Sequence, residues 1–232
     1  KNIQVVGIDN FDSYYSTRLK KKRVQILKKN KNFKFYKVDI RSKRELNKIK
    51  KIDFSYVFHF AAQPGVRYSL INPKKYFDTN VEGFMNVAEI VNKKKLKKFM
   101  YASSSSVYGE QKKFPTSEHA KLNSKNPYGL SKIINEKLGQ VYSQEFNFQF
   151  IGLRFFTVYG EWGRPDMFII KLLNSIRKRK IFYLNNDGNH YRDFTYIKDI
   201  TKACYSLFKY KTKQKHIIFN ICAGQKVNIK KL

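Results

Sequence analysis

Short apolar runs alternate with amphipathic stretches along most of the chain, and this alternation limits the fold more than any other feature of the sequence. Runs at residues 3–8, 33–38, 56–60, 98–102 and 149–153 read as strands, and the stretches 16–28, 43–50, 73–92 and 128–146 read as helices. Strands that alternate with helices build βαβ units and a parallel sheet with helices on both faces. The segment Tyr56-Val57-Phe58-His59-Phe60 is almost continuously apolar, as a strand buried on both faces requires. The expected fold is α/β, a doubly wound parallel sheet. Past about Gly160 the character changes to an amphipathic helix near 167–179, short strands near 181–184 and 192–196, a helix from Asp199 and a strand at 217–221. The expected organisation is a doubly wound domain over residues 1–160, followed by a partial, smaller region over 161–232, some segments of which return to the sheet.

Composition removes several functional classes. The net charge of +31 invites a nucleic-acid reading. The lysines are spread along nearly the whole chain, however, in patches such as Lys20-Lys21-Lys22-Arg23, Lys28-Lys29 and Lys93-Lys94-Lys95, with no aromatic-interleaved stripe or zinc-finger spacing. They read as a solvated surface, so no nucleic-acid partner is expected. No apolar window approaches the roughly 18 residues of a membrane span, so no membrane partner is expected either. The 2 cysteines, Cys204 and Cys222, are too few for a disulfide framework and read as small buried residues of a helix and a strand. A reducing, cytoplasmic compartment follows. The 4 histidines are scattered, and no metal site is expected.

The first strand ends at Asp9-Asn10. In a Rossmann-like sheet an acid at the end of the second strand accepts hydrogen bonds from the adenosine ribose, and its charge repels a 2′-phosphate, which favours NAD over NADP. A strand-ending Asp that merely caps a turn is the plainer alternative. The Gly-rich pyrophosphate turn would fall before residue 1. In strand order 3-2-1-4-5-6 the strand preceding that turn is central. These 232 residues are therefore expected to leave a gap between the strands at 3–8 and 56–60 and to bind NAD poorly on their own.

The segment Tyr128-Gly129-Leu130-Ser131-Lys132 carries the chemistry. Residues four apart on a helix share a face, so the phenol and the ammonium can reach one site. A free tyrosine has a pKa of about 10, and a nearby cation favours its phenolate, bringing it toward use as a base. Pro127 suits the first position of that helix. The apolar strand at 98–102 runs directly into Ser103-Ser104-Ser105-Ser106, and ligands of doubly wound folds bind beyond the carboxyl ends of strands. Read alone, the serines would be an ordinary turn. The ribose acid, the serine run and the Tyr/Lys pair together are more specific than any one of them.

Several segments carry a family resemblance: Phe58-His59-Phe60-Ala61-Ala62-Gln63-Pro64-Gly65-Val66-Arg67-Tyr68-Ser69, the serine run through Val107-Tyr108-Gly109, Asn126-Pro127-Tyr128 through Lys132, Leu153-Arg154-Phe155-Phe156-Thr157-Val158-Tyr159-Gly160 continuing to Met167, and Arg192-Asp193-Phe194-Thr195-Tyr196. They resemble the UDP-glucuronate 4-epimerases of the extended short-chain dehydrogenase/reductases, over nearly the whole chain and in the same order. Relative to that family the Gly-rich loop and a large part of the C-terminal domain are absent. The resemblance implies NAD as cofactor, a UDP-sugar substrate and a homodimer formed through a helical bundle. It implies Ser104, Tyr128 and Lys132 as catalytic residues, with Tyr128 as base. Asp9, Asn10, Asp39, Ile40, Phe60, Ala61, Ala62, Asn80, Ser103, Tyr128, Lys132 and Phe155 match cofactor positions. Arg67, Ser105, Ser106, Thr157, Arg164 and Arg192 match substrate positions. Asn80 could equally be a solvated residue of an amphipathic helix, Arg67 and Arg164 could equally be structural, and Arg192 could instead form a salt bridge with an acid such as Asp193.

Dehydratases and decarboxylases of the same scaffold carry an acidic residue where this chain has Ser105-Ser106, and eliminating water after oxidation at C4 needs a general acid and base near C5 and C6. Serines supply no carboxylate there, and they would accommodate a C5 carboxylate that an acidic side chain would repel. The sequence therefore favours 4-epimerisation of UDP-glucuronate over UDP-galactose epimerisation, dehydration or decarboxylation, with a non-catalytic basic binding module as the remote alternative.

Overall fold

The computed structural model describes residues 3–92, 95–111 and 113–232; Lys93 and Lys94 of the third basic patch lie outside them. The elements, in chain order, are β1 (Val5–Asp9), α1 (Thr17–Leu27), β2 (Phe33–Lys37), α2 (Lys43–Leu46), β3 (Tyr56–His59), α3 (Val66–Ile71), α4 (Pro73–Tyr76), α5 (Gly83–Asn92), β4 (Lys98–Ser104), α6 (Pro127–Glu145), β5 (Gln149–Phe155), β6 (Thr157–Tyr159), α7 (Phe168–Arg177), β7 (Tyr191–Arg192), β8 (Phe194–Tyr196), α8 (Ile197–Ser206), β9 (His216–Ile221) and β10 (Val227–Asn228).

The expected α/β architecture is present, with two compact units. The first holds residues 1–110, 118–154 and 212–219, and the second holds 111–117, 155–211 and 220–232. In the first unit β1 pairs with β2 in parallel, and a four-stranded sheet runs in the order β3-β4-β5-β9 with β3 and β4 parallel. Among the described residues no ladder joins β1-β2 to the four-stranded sheet. β4 is the buried spine of this sheet: Phe99, Met100 and Tyr101 are fully buried, and Phe99 and Tyr101 belong to a core with Val38, Leu46, Phe84, Val91 and Phe150.

The long stretch at 73–92 is not one helix. It runs as α4, a π-helical turn over Phe77–Glu82, and α5. α4 is entered through Asn72, whose side chain caps Lys75 N–H, with Pro73 in the first turn. α6 begins in the same way, with Asn126 accepting from Gly129 N–H at 2.9 Å and Pro127 in its first turn. α2 is a single turn, shorter than the stretch 43–50.

In the second unit β6 pairs in parallel with β8, and β7 pairs antiparallel with β10. Three sequence expectations fail here. Residues 181–184 form no strand: Ile181 and Tyr183 are exposed, and no ladder pairs with them. The run at 192–196 is broken at Asp193, whose carboxylate accepts from Ala223 N–H (3.0 Å) and Gln225 N–H (2.9 Å), so the strand splits into β7 and β8. Cys222 is exposed in the bend after β9 rather than buried in a strand, whereas Cys204 is buried in α8 as expected. Neither cysteine forms a disulfide among the described residues. No described helix is long and apolar enough to cross a membrane.

Candidate active site

β4 extends two residues further than its apolar run, so Ser103 and Ser104 are its last, extended residues. The Ser104 hydroxyl accepts from Ser106 N–H at 3.1 Å and caps a short 3-10 turn over Ser105–Val107. The first turn of α6 packs on that turn. Gly129 shows how closely: a Cβ there would stand 2.6 Å from the Ser106 carbonyl oxygen and would collide with the Ser124 hydroxyl. Glycine inside the Tyr128–Lys132 segment is thus what lets the helix carrying the phenol approach the serines. The sequence reading passed over it.

Tyr128 is half-buried in the first helical turn, its ring edge-on to Tyr76 with centroids 6.1 Å apart. One turn on, Lys132 is 2% exposed, and burial pushes its ammonium down to about 8. Among the described residues no carboxylate pairs with it. His59, at the end of β3, feels that cation. Burial and then the Lys132 charge push its imidazole down to about 3, so it is neutral, and its Nε2 is buried without a hydrogen-bond partner.

The loop after β3, which holds Phe60, Ala61 and Ala62, is pinned from the helices. Asn80 is fully buried: its Oδ1 accepts from Gln63 N–H (2.7 Å), and its Nδ2 donates to Gln63 O (3.2 Å) and Ser131 Oγ (2.9 Å). Asn80 is therefore no solvated face residue; the π-helical turn points it inward, where it ties the β3 loop to α6. Tyr76 Oη donates to Pro64 O (2.7 Å) and Gly65 O (2.5 Å) from the other side. Phe60 is exposed, and Ala61 and Ala62 are half-buried. Arg67 sits exposed in the first turn of α3.

At the ends of β1 and β2, the exposed Asp9 carboxylate accepts from Phe11 N–H at 2.6 Å, and Asn10 Nδ2 donates to Asp39 at 3.1 Å. The hydrogen bonds from the Arg41 guanidinium, with the backbone and Asn10 contacts adding, hold Asp39 at about 2 against its burial. The Ile40 side chain is part of the core against Gly83, so any contact it makes with a ligand is through its backbone.

Of the remaining sequence candidates, Phe155, Thr157, Arg164 and Arg192 belong to the second unit. Thr157 N–H donates to Asp193 O (3.0 Å), and Arg164 lies 3.3 Å from Asp166. Arg192 is exposed on β7, and Asp193 forms no ion pair with it because its carboxylate is held by the turn before β10.

The ends of β1–β4 and the start of α6 thus present an exposed ribose-type acid, a pinned small-residue loop, a serine turn and an unpaired buried cation beneath a tyrosine. The model of the NAD dependent epimerase/dehydratase family matches residues 1–222. The chain belongs to this family. As a member it is 42% identical to UDP-glucuronate 4-epimerase 4 of Arabidopsis thaliana over 86% of its own length and 47% of that protein. It is 39% identical to UDP-glucuronate 4-epimerase of Thermodesulfobacterium geofontis, over 88% of its length and 64% of that protein. The fold superimposes with a TM-score of 0.87 on the crystal structure of UDP-glucuronic acid 4-epimerase from Bacillus cereus in complex with UDP-glucuronic acid and NAD, at 33% identity, covering 97% of this chain and 71% of that one. The chain spans less than two thirds of the length of the two curated relatives.

The donor set of this epimerase/dehydratase family member fits a dinucleotide. A carboxylate at the end of β1 suits ribose hydroxyls, the β3 loop offers small residues for close approach, and Lys132 is a buried cation with hydrogen-bond donors to spare. Two buried polar residues near this site, Glu136 and Arg154, escaped the sequence reading. The available signal was an acid on the same face of α6 as Lys132, one turn further on.

Proposed function

We propose that this chain carries the catalytic part of an NAD-dependent UDP-sugar 4-epimerase whose substrate is UDP-glucuronate and whose product is UDP-galacturonate. The observation that carries the reading is Lys132, buried without a described acidic partner, one helical turn from a tyrosine whose helix packs on a serine turn.

Tyr128 takes the proton of the sugar 4-hydroxyl, while Ser104 holds the same oxygen by a hydrogen bond. The Lys132 ammonium favours loss of the phenolic proton, and its remaining donors suit cofactor ribose hydroxyls. Bound NAD would supply the hydride acceptor, and later the donor, at C4. The 4-keto sugar formed turns about its diphosphate link, and Tyr128 returns its proton to O4 on the opposite configuration. Asp9, Asn10, Asp39, Phe60, Ala61, Ala62 and Phe155 are the residues assigned to cofactor binding, and Ile40, Asn80 and Ser103, whose side chains are buried and engaged within the fold, are assigned to it through their backbones or by shaping the site. Arg67, Arg164 and Arg192 suit diphosphate and carboxylate oxygens, Arg by its bidentate geometry, and Thr157 lies among them in sequence. Ser105 and Ser106 offer hydroxyls to the C5 carboxylate, and neither provides the acid that dehydration requires.

The partner expected of the whole protein is a second copy. Leu130 and Val141 lie on one face of α6, and Leu70 and Ile71 lie on α3 packed beside it; all four are exposed. A helical bundle with its copy would cover them. A reducing, cytoplasmic location is the one proposed, in keeping with a chain of only 2 cysteines.

Tyr128→Phe in the full-length protein tests the reading. Turnover of UDP-glucuronate is expected to vanish while bound NAD is retained. Turnover preserved in the variant, or activity on UDP-galactose but not UDP-glucuronate in the parent, refutes the base assignment or the substrate respectively.

A further inference from the structure

Behind the serine turn lies a buried ion pair that no catalytic step uses. Arg154, near the end of β5, and Glu136, on α6 one turn beyond Lys132, are about 5% exposed or less. Their contact is bidentate: Arg154 Nε donates to Glu136 Oε1 at 2.8 Å and Nη2 donates to Oε2 at 2.7 Å. Burial would depress the guanidinium pKa, but the hydrogen bonds and charge of Glu136 raise it above its ordinary value. A pair buried this deeply gains little net stability against an apolar replacement, so stability is a weak account of its presence.

The remaining hydrogen bonds supply another. Ser103 Oγ donates to Glu136 Oε1 at 2.6 Å, fixing the end of β4 immediately before Ser104. Arg154 Nη1 donates to Tyr108 Oη at 2.7 Å, at the other end of the same 3-10 turn, and to Glu118 O at 2.8 Å. The Arg154 guanidinium also lies over the Tyr108 ring, 4.8 Å from its centre. Both ends of the serine turn are thereby tied to two opposed charges, and one of those charges sits on the helix that carries Tyr128 and Lys132.

We propose that Glu136 and Arg154 are positioning residues for the reaction: together they set the register between the Ser104 hydroxyl and the Tyr128 phenol by clamping Ser103 and Tyr108 to α6. This deepens the epimerase reading and rests on it. Lysine at 154 would keep the charge opposite Glu136 but has no planar fork with which to hold Glu136, Tyr108 and Glu118 at once. Charge alone and geometry therefore separate in one substitution.

The test compares Arg154→Lys and Ser103→Ala with the parent in the full-length protein. Expected for Arg154→Lys is a lowered melting temperature, because the buried Tyr108 hydroxyl and the Glu118 carbonyl lose this donor, and, counted on folded protein alone, faster amide exchange confined to residues 103–108, a kcat lower by on the order of 10²-fold and a KM for the UDP-sugar within threefold, since a misplacement of about 1 Å is enough for such a loss. Ser103→Ala, which leaves the ion pair intact, is expected to reproduce the kcat loss in part and serves where the lysine variant fails to fold. Unchanged exchange in the turn, or loosened exchange with unchanged kcat, overturns the proposal. So does a kcat loss that follows the folded fraction and disappears when only folded protein is counted. If the parent itself does not turn over UDP-glucuronate, the substrate reading fails, and amide exchange still decides the clamp.

Discussion

Replacing Lys132 by methionine should make the protein more stable and catalytically inert, and the size of the gain should depend on pH. Burial lowers the ammonium from an ordinary 10.5 to about 8. A lysine depressed in the folded state binds its proton more weakly there than in the unfolded chain, so between pH 8 and 10.5 the unfolded state holds more protons and stability rises with pH. Below that window both states are protonated and the whole penalty is present; a shift of about 2.5 pKa units corresponds to about 3 kcal/mol against folding at pH 7. At pH 10 most of that penalty is gone, leaving about 1 kcal/mol by the same linkage. Methionine has no such penalty. Any packing difference it introduces is common to both pH values, so the decisive quantity is the change in ΔΔG between pH 7 and pH 10, about 2 kcal/mol. Urea unfolding of parent and variant at the two pH values measures it, with the other lysines cancelling in the difference. The His59 imidazole, relieved of the Lys132 charge, should titrate at higher pH in the variant. A variant less stable than the parent at pH 7 by an amount that does not change at pH 10 would refute the reasoning, because the buried ammonium would then carry no folded-state penalty.

Gly129→Ala should lower stability by about 1–3 kcal/mol, as expected of overpacking, and reduce kcat, because the new Cβ would stand 2.6 Å from the Ser106 carbonyl and lift α6 from the serine turn; calorimetry and steady-state kinetics read the two effects. Asn80→Ala should cost about 1–3 kcal/mol by leaving the buried Gln63 N–H and C=O unpaired, with faster amide exchange at Gln63 as its signature. In acid, His59 and His216 are depressed to about 3 and about 4, burial being the largest cause in each. Stability should therefore fall progressively as pH drops from 6.5 toward 3, and Asp39, held at about 2, should add to the loss below 3.8. Urea midpoints across that range check it, and His59→Phe should flatten the fall over the whole range from 6.5 to about 3.

Apolar periodicity was legible wherever burial was two-sided or one-faced over a long run. β3, β4, α6 and β9 fall within a residue or two of their sequence expectations because Val57, Phe99 and Ile218 leave little choice of environment. It misled where tertiary partners decide. Ile181 and Tyr183 look like strand residues, but no neighbouring strand takes their backbone. The run at 192–196 breaks because Asp193 captures two amides from a turn about 30 residues away in the chain. The 73–92 helix contains a π-helical turn that no period reveals, and that turn rotates Asn80 inward.

Residue identity and helical period determined, by themselves, that a phenol and an amine would share one face next to a run of hydroxyls, since four residues on a helix always close one turn. What only the folded chain decided is the depth and anchoring of that pair. Lys132 loses its water because β4 and the π-helical turn pack against α6, Gly129 lets the helix reach the serines, and Glu136 meets Arg154 across 18 residues of chain. Burial and long-range hydrogen bonds depend on which surfaces meet, and a one-dimensional pattern does not record which surfaces those are.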